Sequence, residues 1–208
     1  MEMTIALNKA GKRFNRDWIF KDLTCRFESG NSYAITGSNG SGKSTLLQVI
    51  GGAITLNEGD CNWSAAAAIP ADKIFRHISY CAPYLELIEE MTLSEFLDFH
   101  QRFKPFLPGC TSEMIIAELG LGDAAGKRIQ QFSSGMKQRA KLAQCIYSDT
   151  AVVILDEPCT NLDQQGIALY YSLIEQYCTK RLVLVGSNDE VEYRFCRHQL
   201  NIADYKQF

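Results

Sequence analysis

Residues Gly37-Ser38-Asn39-Gly40-Ser41-Gly42-Lys43-Ser44 fit the pattern G-x-x-x-x-G-K-[ST], and this loop constrains the fold more than any other stretch of the chain. It requires a strand ending just before its first glycine and a helix opening at its lysine. Tyr33–Thr36 reads as the strand and Ser44–Gly51 as the helix. Glycines let the backbone fold tightly, so that successive N–H groups aim at one anion. The helix start adds its partial positive charge there. Gly37 through Thr45 are therefore the expected phosphate contacts: Lys43 reaches the outer phosphates and the Ser44 hydroxyl serves a Mg²⁺ ion. The loop predicts a nucleotide site.

A second constraint comes from Ala151-Val152-Val153-Ile154-Leu155-Asp156-Glu157. A continuous apolar run, rather than an alternating one, is what a parallel strand buried on both faces requires, and Leu182–Val185 is another. Two carboxylates emerge where the first run ends, at the sheet edge where such folds bind ligands. Asp156 is suited to hold Mg²⁺ directly or through water. Glu157 is suited to orient and deprotonate an attacking water.

The rest of the chain supplies the frame. Thr4–Leu7 and Leu23–Phe27 read as short antiparallel strands, with a turn at Glu28–Asn31 before the strand that feeds the loop. After Gly51 the sequence turns irregular through Ala65–Ala68, and His77–Tyr80 is a further strand. From Thr92 the pattern becomes helical. Thr92-Leu93-Ser94-Glu95 forms a capping box, Pro105, Pro108 and Gly109 break the run, and apolar spacing resumes at Met114, Ile115 and Leu119. A helix-like segment, Gln164–Cys178, bridges the two apolar strands. These elements predict a single α/β domain over 1–208. It has a mainly parallel core sheet, an N-terminal antiparallel β subdomain and a helical subdomain inserted at about 86–150.

Composition narrows the partners. The chain has 208 residues, 46% of them hydrophobic, and a formal net charge of −3, so a sizeable core is available and no nucleic-acid partner is expected. Eight cysteines are scattered without a C-x-x-C pair, and three histidines show no ligand spacing to them, which reads as thiols in a reducing compartment. No apolar run approaches the roughly 18–20 residues that span a bilayer. Met1–Thr4 lacks the basic and apolar regions of a signal peptide.

Between the loop and the acidic pair lies Phe132-Ser133-Ser134-Gly135-Met136-Lys137-Gln138-Arg139. Ser133 suits an N-cap and Gly135 allows close approach ahead of a helix over Lys137–Ala143, making a second helix start suited to an anion. With these motifs in this order the chain resembles the ATP-binding-cassette (ABC) ATPase family over nearly its whole length. The resemblance implies a P-loop NTPase fold of the ABC type and ATP with Mg²⁺ as ligands. It also implies that Ser133, Ser134, Gly135 and Met136, similar to the L-S-G-G-Q signature, meet the γ-phosphate held by a second cassette. Asn161-Leu162-Asp163 looks like the family's D-loop, with Asp163 near the nucleotide. Phe14 falls where an aromatic often stacks on adenine, with Trp18 as the fallback. The implied partners are a second ABC subunit, as a homodimer or with a homologue, and integral membrane permease subunits on separate chains. That places the protein peripherally on the cytoplasmic face of the inner membrane.

The sequence departs from the family at three places. Pro83 stands where the Q-loop glutamine is expected and offers no side-chain oxygen. Asn188, in Val185-Gly186-Ser187-Asn188-Asp189, stands where the switch normally carries histidine; its amide donates to a γ-phosphate oxygen but carries no imidazolium charge. Slow hydrolysis follows, with Glu157, Lys43 and Asn188 as the catalytic set. Ser134 and Met136 replace Gly and Gln, a variant similar to bacterial exporter subunits. Besides a transporter ATPase, two readings stay open: a soluble non-transport ABC ATPase, and a nucleotide-gated module that barely hydrolyses.

Overall fold

The computed structural model describes residues 2–206, so Met1 at the start read above and Gln207–Phe208 at the end of the 1–208 domain lie outside the described residues. The chain divides into two compact units. One comprises the chain up to Tyr80, Ala151–Asp156 and the chain from Lys180 onward; the other comprises Cys81–Thr150 and Glu157–Thr179.

The first unit holds two sheets. The antiparallel sheet has the order β2-β1-β4-β5, from β1 (Thr4–Phe14), β2 (Asp17–Glu28), β4 (Glu58–Ser64) and β5 (Ala68–Ile69). The strands are longer than the short runs expected from the sequence. β1 and β2 have 11 and 12 residues because bulges let the ladder continue past Leu7 and Ala10, shifting register instead of ending the strand. The segment read as irregular after Gly51 contains β4, whose alternation is hidden by polar outward residues; only Trp63 is buried, and its indole N–H donates to the Ile50 carbonyl at 3.0 Å.

The second sheet has the order β6-β7-β8-β3-β9, with β6 (Ile78–Cys81), β7 (Val152–Asp156), β8 (Leu182–Gly186), β3 (Ser32–Thr36) and β9 (His198–Asn201). β7–β8, β8–β3 and β3–β9 are all parallel. Every residue of β7 and β8 is buried, as continuous Val/Ile/Leu runs demand. Helix α1 (Lys43–Ile50) lays Leu46, Leu47 and Ile50 onto this sheet, and its core merges with Ile5, Phe20 and Phe27 from the antiparallel sheet.

The second unit is helical, with α2 (Leu93–Gln101), α3 (Ser112–Glu118), α4 (Ser134–Ile146) and α5 (Gln164–Tyr177). It takes in α5, which packs on α4 and fully buries Tyr170 and Leu173. Each helix has an oxygen cap: Thr92, Thr111, Ser133 and Asp163. Tyr147 and Tyr177 both donate to Glu118 Oε2, at 2.7 and 2.8 Å, which ties the ends of α4 and α5 to α3.

At α2 the capping box is complete, with the Glu95 amide donating to Thr92 Oγ1 at 3.2 Å and the Thr92 amide donating to Glu95 Oε2 at 2.9 Å. The Thr92 backbone N–H, and then its hydroxyl, hold the Glu95 carboxyl below its ordinary value. A carboxylate with a depressed folded pKa stabilises the fold above its unfolded pKa and loses that effect as pH falls through the folded one. Thr92→Ala should cost about 1 kcal/mol in urea melts at neutral pH. The gap between variant and wild type should narrow on acidification below the ordinary carboxylate range.

Candidate functional site

The phosphate loop leaves β3 at Thr36 and enters α1 at Lys43. Gly42 caps the helix without a side chain, at φ +110°, and a Cβ there would sit 2.3 Å from the Ile19 side chain of β2. No other residue type fits that point of the loop. A Cβ on Gly37 would likewise meet Ser41 Oγ at 2.6 Å. The loop is closed on itself by the Ser41 amide donating to the Ser38 carbonyl at 3.1 Å. Lys43, 4% exposed, folds back and donates to the carbonyls of Gly37 and Ser38 at 3.0 and 3.1 Å. The buried Ser41 hydroxyl has no hydrogen-bond partner among the described residues, and the first-turn amides of α1, including those of Ser44 and Thr45, have no intrahelical acceptor. Ser38, Asn39 and Gly40 are exposed at the mouth. The loop is a cradle of donors with a cation buried beneath it.

Sheet register brings the acidic strand end beside the loop. Ile35 of β3 pairs with Gly186 of β8, and Gly186 pairs with Asp156 of β7, so the three parallel strands finish on one row. Gly186 has room for no side chain: a Cβ would lie 2.6 Å from Leu47 and 3.1 Å from Asp156 Oδ1. Asp156 is 1% exposed, which places a carboxylate in a site that favours a cation beside it. Just after Gly186, the buried Ser187 donates its amide to the Ile35 carbonyl at 3.1 Å and accepts the Asp189 amide at 2.9 Å. That turn holds Asn188 exposed at the end of the row. Phe14 ends β1, 49% exposed, with Lys12 Nζ 5.0 Å from its ring. The Trp18 ring is approached by both Arg13 and Lys21. Phe14 is therefore the more open of the two aromatics.

In the helical unit, Ser133 caps α4 by accepting the Met136 amide at 3.3 Å. Ser134 is exposed, and Gly135 lies so close to the next segment that a Cβ would be 3.1 Å from the Asn161 carbonyl. Asp163 accepts the Gly166 amide at 2.7 Å as the cap of α5 and pairs with Arg139 at 3.3 Å. The amide first, and Arg139 second, hold its carboxyl below the ordinary range. Ser134, Gly135, Met136, Arg139, Asn161 and Asp163 line one concave surface. Glu157, half-buried, opens the Glu157–Thr160 turn at φ +45°, an uncommon backbone for a residue with a side chain.

A family model described as ABC transporter matches residues 20–160. The chain belongs to the ABC transporter family. It is 30% identical over 193 residues to the cytochrome c biogenesis ATP-binding export protein CcmA of Haemophilus influenzae, covering 90% of each chain. Among solved structures it is similar to a putative ABC transporter ATP-binding protein from Pyrococcus furiosus, with TM-score 0.82, 18% identity and coverage of 98% of this chain and 100% of that one. A bacterial ABC transporter cassette solved as a dimer gives TM-score 0.80 at 20% identity, covering 95% and 94%. These two likenesses show the ABC ATPase fold.

As an ABC ATPase, the chain carries its departure at Pro83 in a built position. Pro83 offers no side-chain oxygen, yet its carbonyl accepts Lys141 Nζ from α4 at 2.7 Å. One residue of the Phe132–Arg139 segment has a partner that the sequence does not display. Gln138, 3% exposed, donates to the Pro158 carbonyl at 2.7 Å. A polar residue beside the apolar stripe of Ala140, Leu142 and Ala143 was the available signal. Gly42→Ala should abolish MgATP binding in a nucleotide titration, and the clash with Ile19 should cost about 1–3 kcal/mol of stability.

Proposed function

We propose that this chain is the ATP-hydrolysing subunit of an exporter, working as a pair of cassettes that close on two MgATP and open after hydrolysis. The observation that carries the reading is the single row formed by Ile35, Gly186 and Asp156, which sets the donor loop, the switch turn and a buried carboxylate at one sheet edge. Export is supported by the name of the Haemophilus relative, matched over 90% of its length, and by the Ser-Ser-Gly-Met signature. No helix among the described residues is long and apolar enough to cross a membrane. The family resemblance supports reading the membrane-spanning subunits as separate chains, with this one peripheral on the cytoplasmic face.

The donor set fits MgATP. The loop amides and Lys43 take the β- and γ-phosphates. The Ser44 hydroxyl and the Asp156 carboxylate are the hard oxygen donors that Mg²⁺ prefers when the remaining ligands are phosphate and water. Bound there, the ion would supply charge neutralisation for the transferring phosphoryl group. Glu157 takes a proton from water as its oxygen attacks the γ-phosphorus, and the bond to the β–γ bridging oxygen breaks. Asn188 donates its amide to a γ-phosphate oxygen. The capped start of α4, with Ser134 and Gly135, closes over the γ-phosphate held by the second cassette, and Phe14 stacks on the base. Loss of that phosphate removes what α4 binds, so the pair opens.

Glu157→Gln should slow hydrolysis by roughly 10²–10⁴-fold and accumulate an ATP-bound dimer on size exclusion, while wild type stays monomeric at steady state. Equal dimer in both would overturn the enzyme reading in favour of a nucleotide-gated module, the reading that Asn188 in place of histidine favours. Asn188→Ala should lower kcat at least about tenfold with MgATP affinity unchanged, since it removes one preorganised donor.

A further inference from the structure

We infer that Gln138 of α4 is a positioning residue for Glu157, acting through the Pro158 carbonyl. The inference rests on Glu157 as the base proposed above.

Gln138 is a primary amide almost wholly removed from water, which is tolerated only where its hydrogen-bonding groups find partners. Its shortest bond is to the Pro158 carbonyl, with Cys81 Sγ farther off at 4.0 Å. The acceptor is a carbonyl, so the Nε2 end must point at Pro158, and 2.7 Å is at the short end of the N–H···O range. Pro158 is itself buried and, as a proline, has no N–H, so its carbonyl, in the Pro158–Cys159 peptide, is the backbone group by which this residue can be held. The residue held next to it is Glu157, at φ +45°. Side-chain-bearing residues persist in the left-handed region when their surroundings over-determine them, and such positions cluster at functional sites. Within this turn the Thr160 amide donates to the Glu157 carbonyl at 3.3 Å and the Leu162 amide to the Cys159 carbonyl at 3.0 Å.

The helix that supplies the grip is well fixed. One turn of α4 carries Lys137, Gln138 and Lys141. Lys137 pairs with Glu89 at 2.6 Å and Lys141 holds the Pro83 carbonyl at 2.7 Å, so Gln138 projects from a segment anchored on both sides. Pulling on Pro158 from that anchor sets the direction in which Glu157 leaves the backbone. A base that drifts by about 1 Å loses near-attack geometry, and such misplacement costs on the order of 10²-fold in rate.

The test uses the full chain with saturating MgATP in single-turnover cleavage, and the MgATP Kd measured separately. Gln138→Met keeps the length and removes the donor; its cleavage rate should fall roughly 10- to 100-fold while Kd stays within about twofold. In a Glu157→Gln background the same change should cost nothing further, because the group it positions is gone. Unchanged cleavage by Gln138→Met, a proportional loss of MgATP affinity, or losses that multiply in the double variant would each overturn the inference. If Gln138→Met does not fold, Gln138→Glu replaces it: a carboxyl donates to the carbonyl only when protonated, so its rate relative to wild type should rise as pH is lowered. A flat ratio across pH would overturn it instead. Glu157→Gln alone distinguishes the two readings, since full activity there removes the base assignment, whereas a dead Glu157→Gln beside a fully active Gln138→Met removes only the role of Gln138.

Discussion

The close approach of Leu47 to Gly186 and of Gly186 to Asp156 is the contact on which the nucleotide-binding unit depends. A Cβ on Gly186 would fall 2.6 Å from the Leu47 side chain, so α1 packs on the sheet at a point where only glycine fits. That proximity sets where α1 begins, and therefore where Gly42, Lys43 and Ser44 present their groups. The parallel ladder carries the same constraint sideways, because Gly186 is paired with Ile35 on one side and Asp156 on the other. One residue without a side chain thus aligns the loop, the acid and the start of the switch turn. Cores at organic-crystal density transmit such constraints because little void space is available to absorb a shift.

The antiparallel sheet serves that same loop. Ile19 of β2 lies where a Gly42 side chain would be, and Ile202 closes in from the chain end. The hairpin is long enough to reach there because bulges keep β1 and β2 paired through their register shifts. Near the hairpin end Arg13 and Lys21 lie over the Trp18 indole, while Lys12 lies over the Phe14 ring.

Much of this was legible from residue order. The loop, the all-buried β7 and β8, and the caps at Thr92, Ser133 and Asp163 each carry a local chemical reason that a sequence displays. What escaped was set by distant contacts. β4 reads as irregular because Glu58, Asp60 and Asn62 face outward and only Trp63 is fully buried, so its strand character comes from pairing with β1. β1 and β2 look short because Lys9 and Asp22, with left-handed backbones, interrupt the alternation without ending the ladder. Gln138 escaped for a related reason: on a helix the residue is unremarkable, and only the fold supplies the Pro158 carbonyl.

The departures at Pro83 and Asn188 acquire a physical meaning from this arrangement. A side chain that bonds the reaction directly is sensitive to its own identity, so Asn188 changes what the switch turn can donate. A segment held by its backbone is not. The Pro83 carbonyl is gripped by Lys141 whichever residue stands there, and Lys137 holds Glu89 on the same stretch. The helical unit thus keeps its Pro83 segment ordered against α4 through main-chain and surface charge rather than through a glutamine. The two substitutions therefore act on different steps. On the function proposed above, Asn188 bears on the rate at which the γ-phosphate is released, while Pro83 leaves the tie between α4 and its neighbouring segment in place.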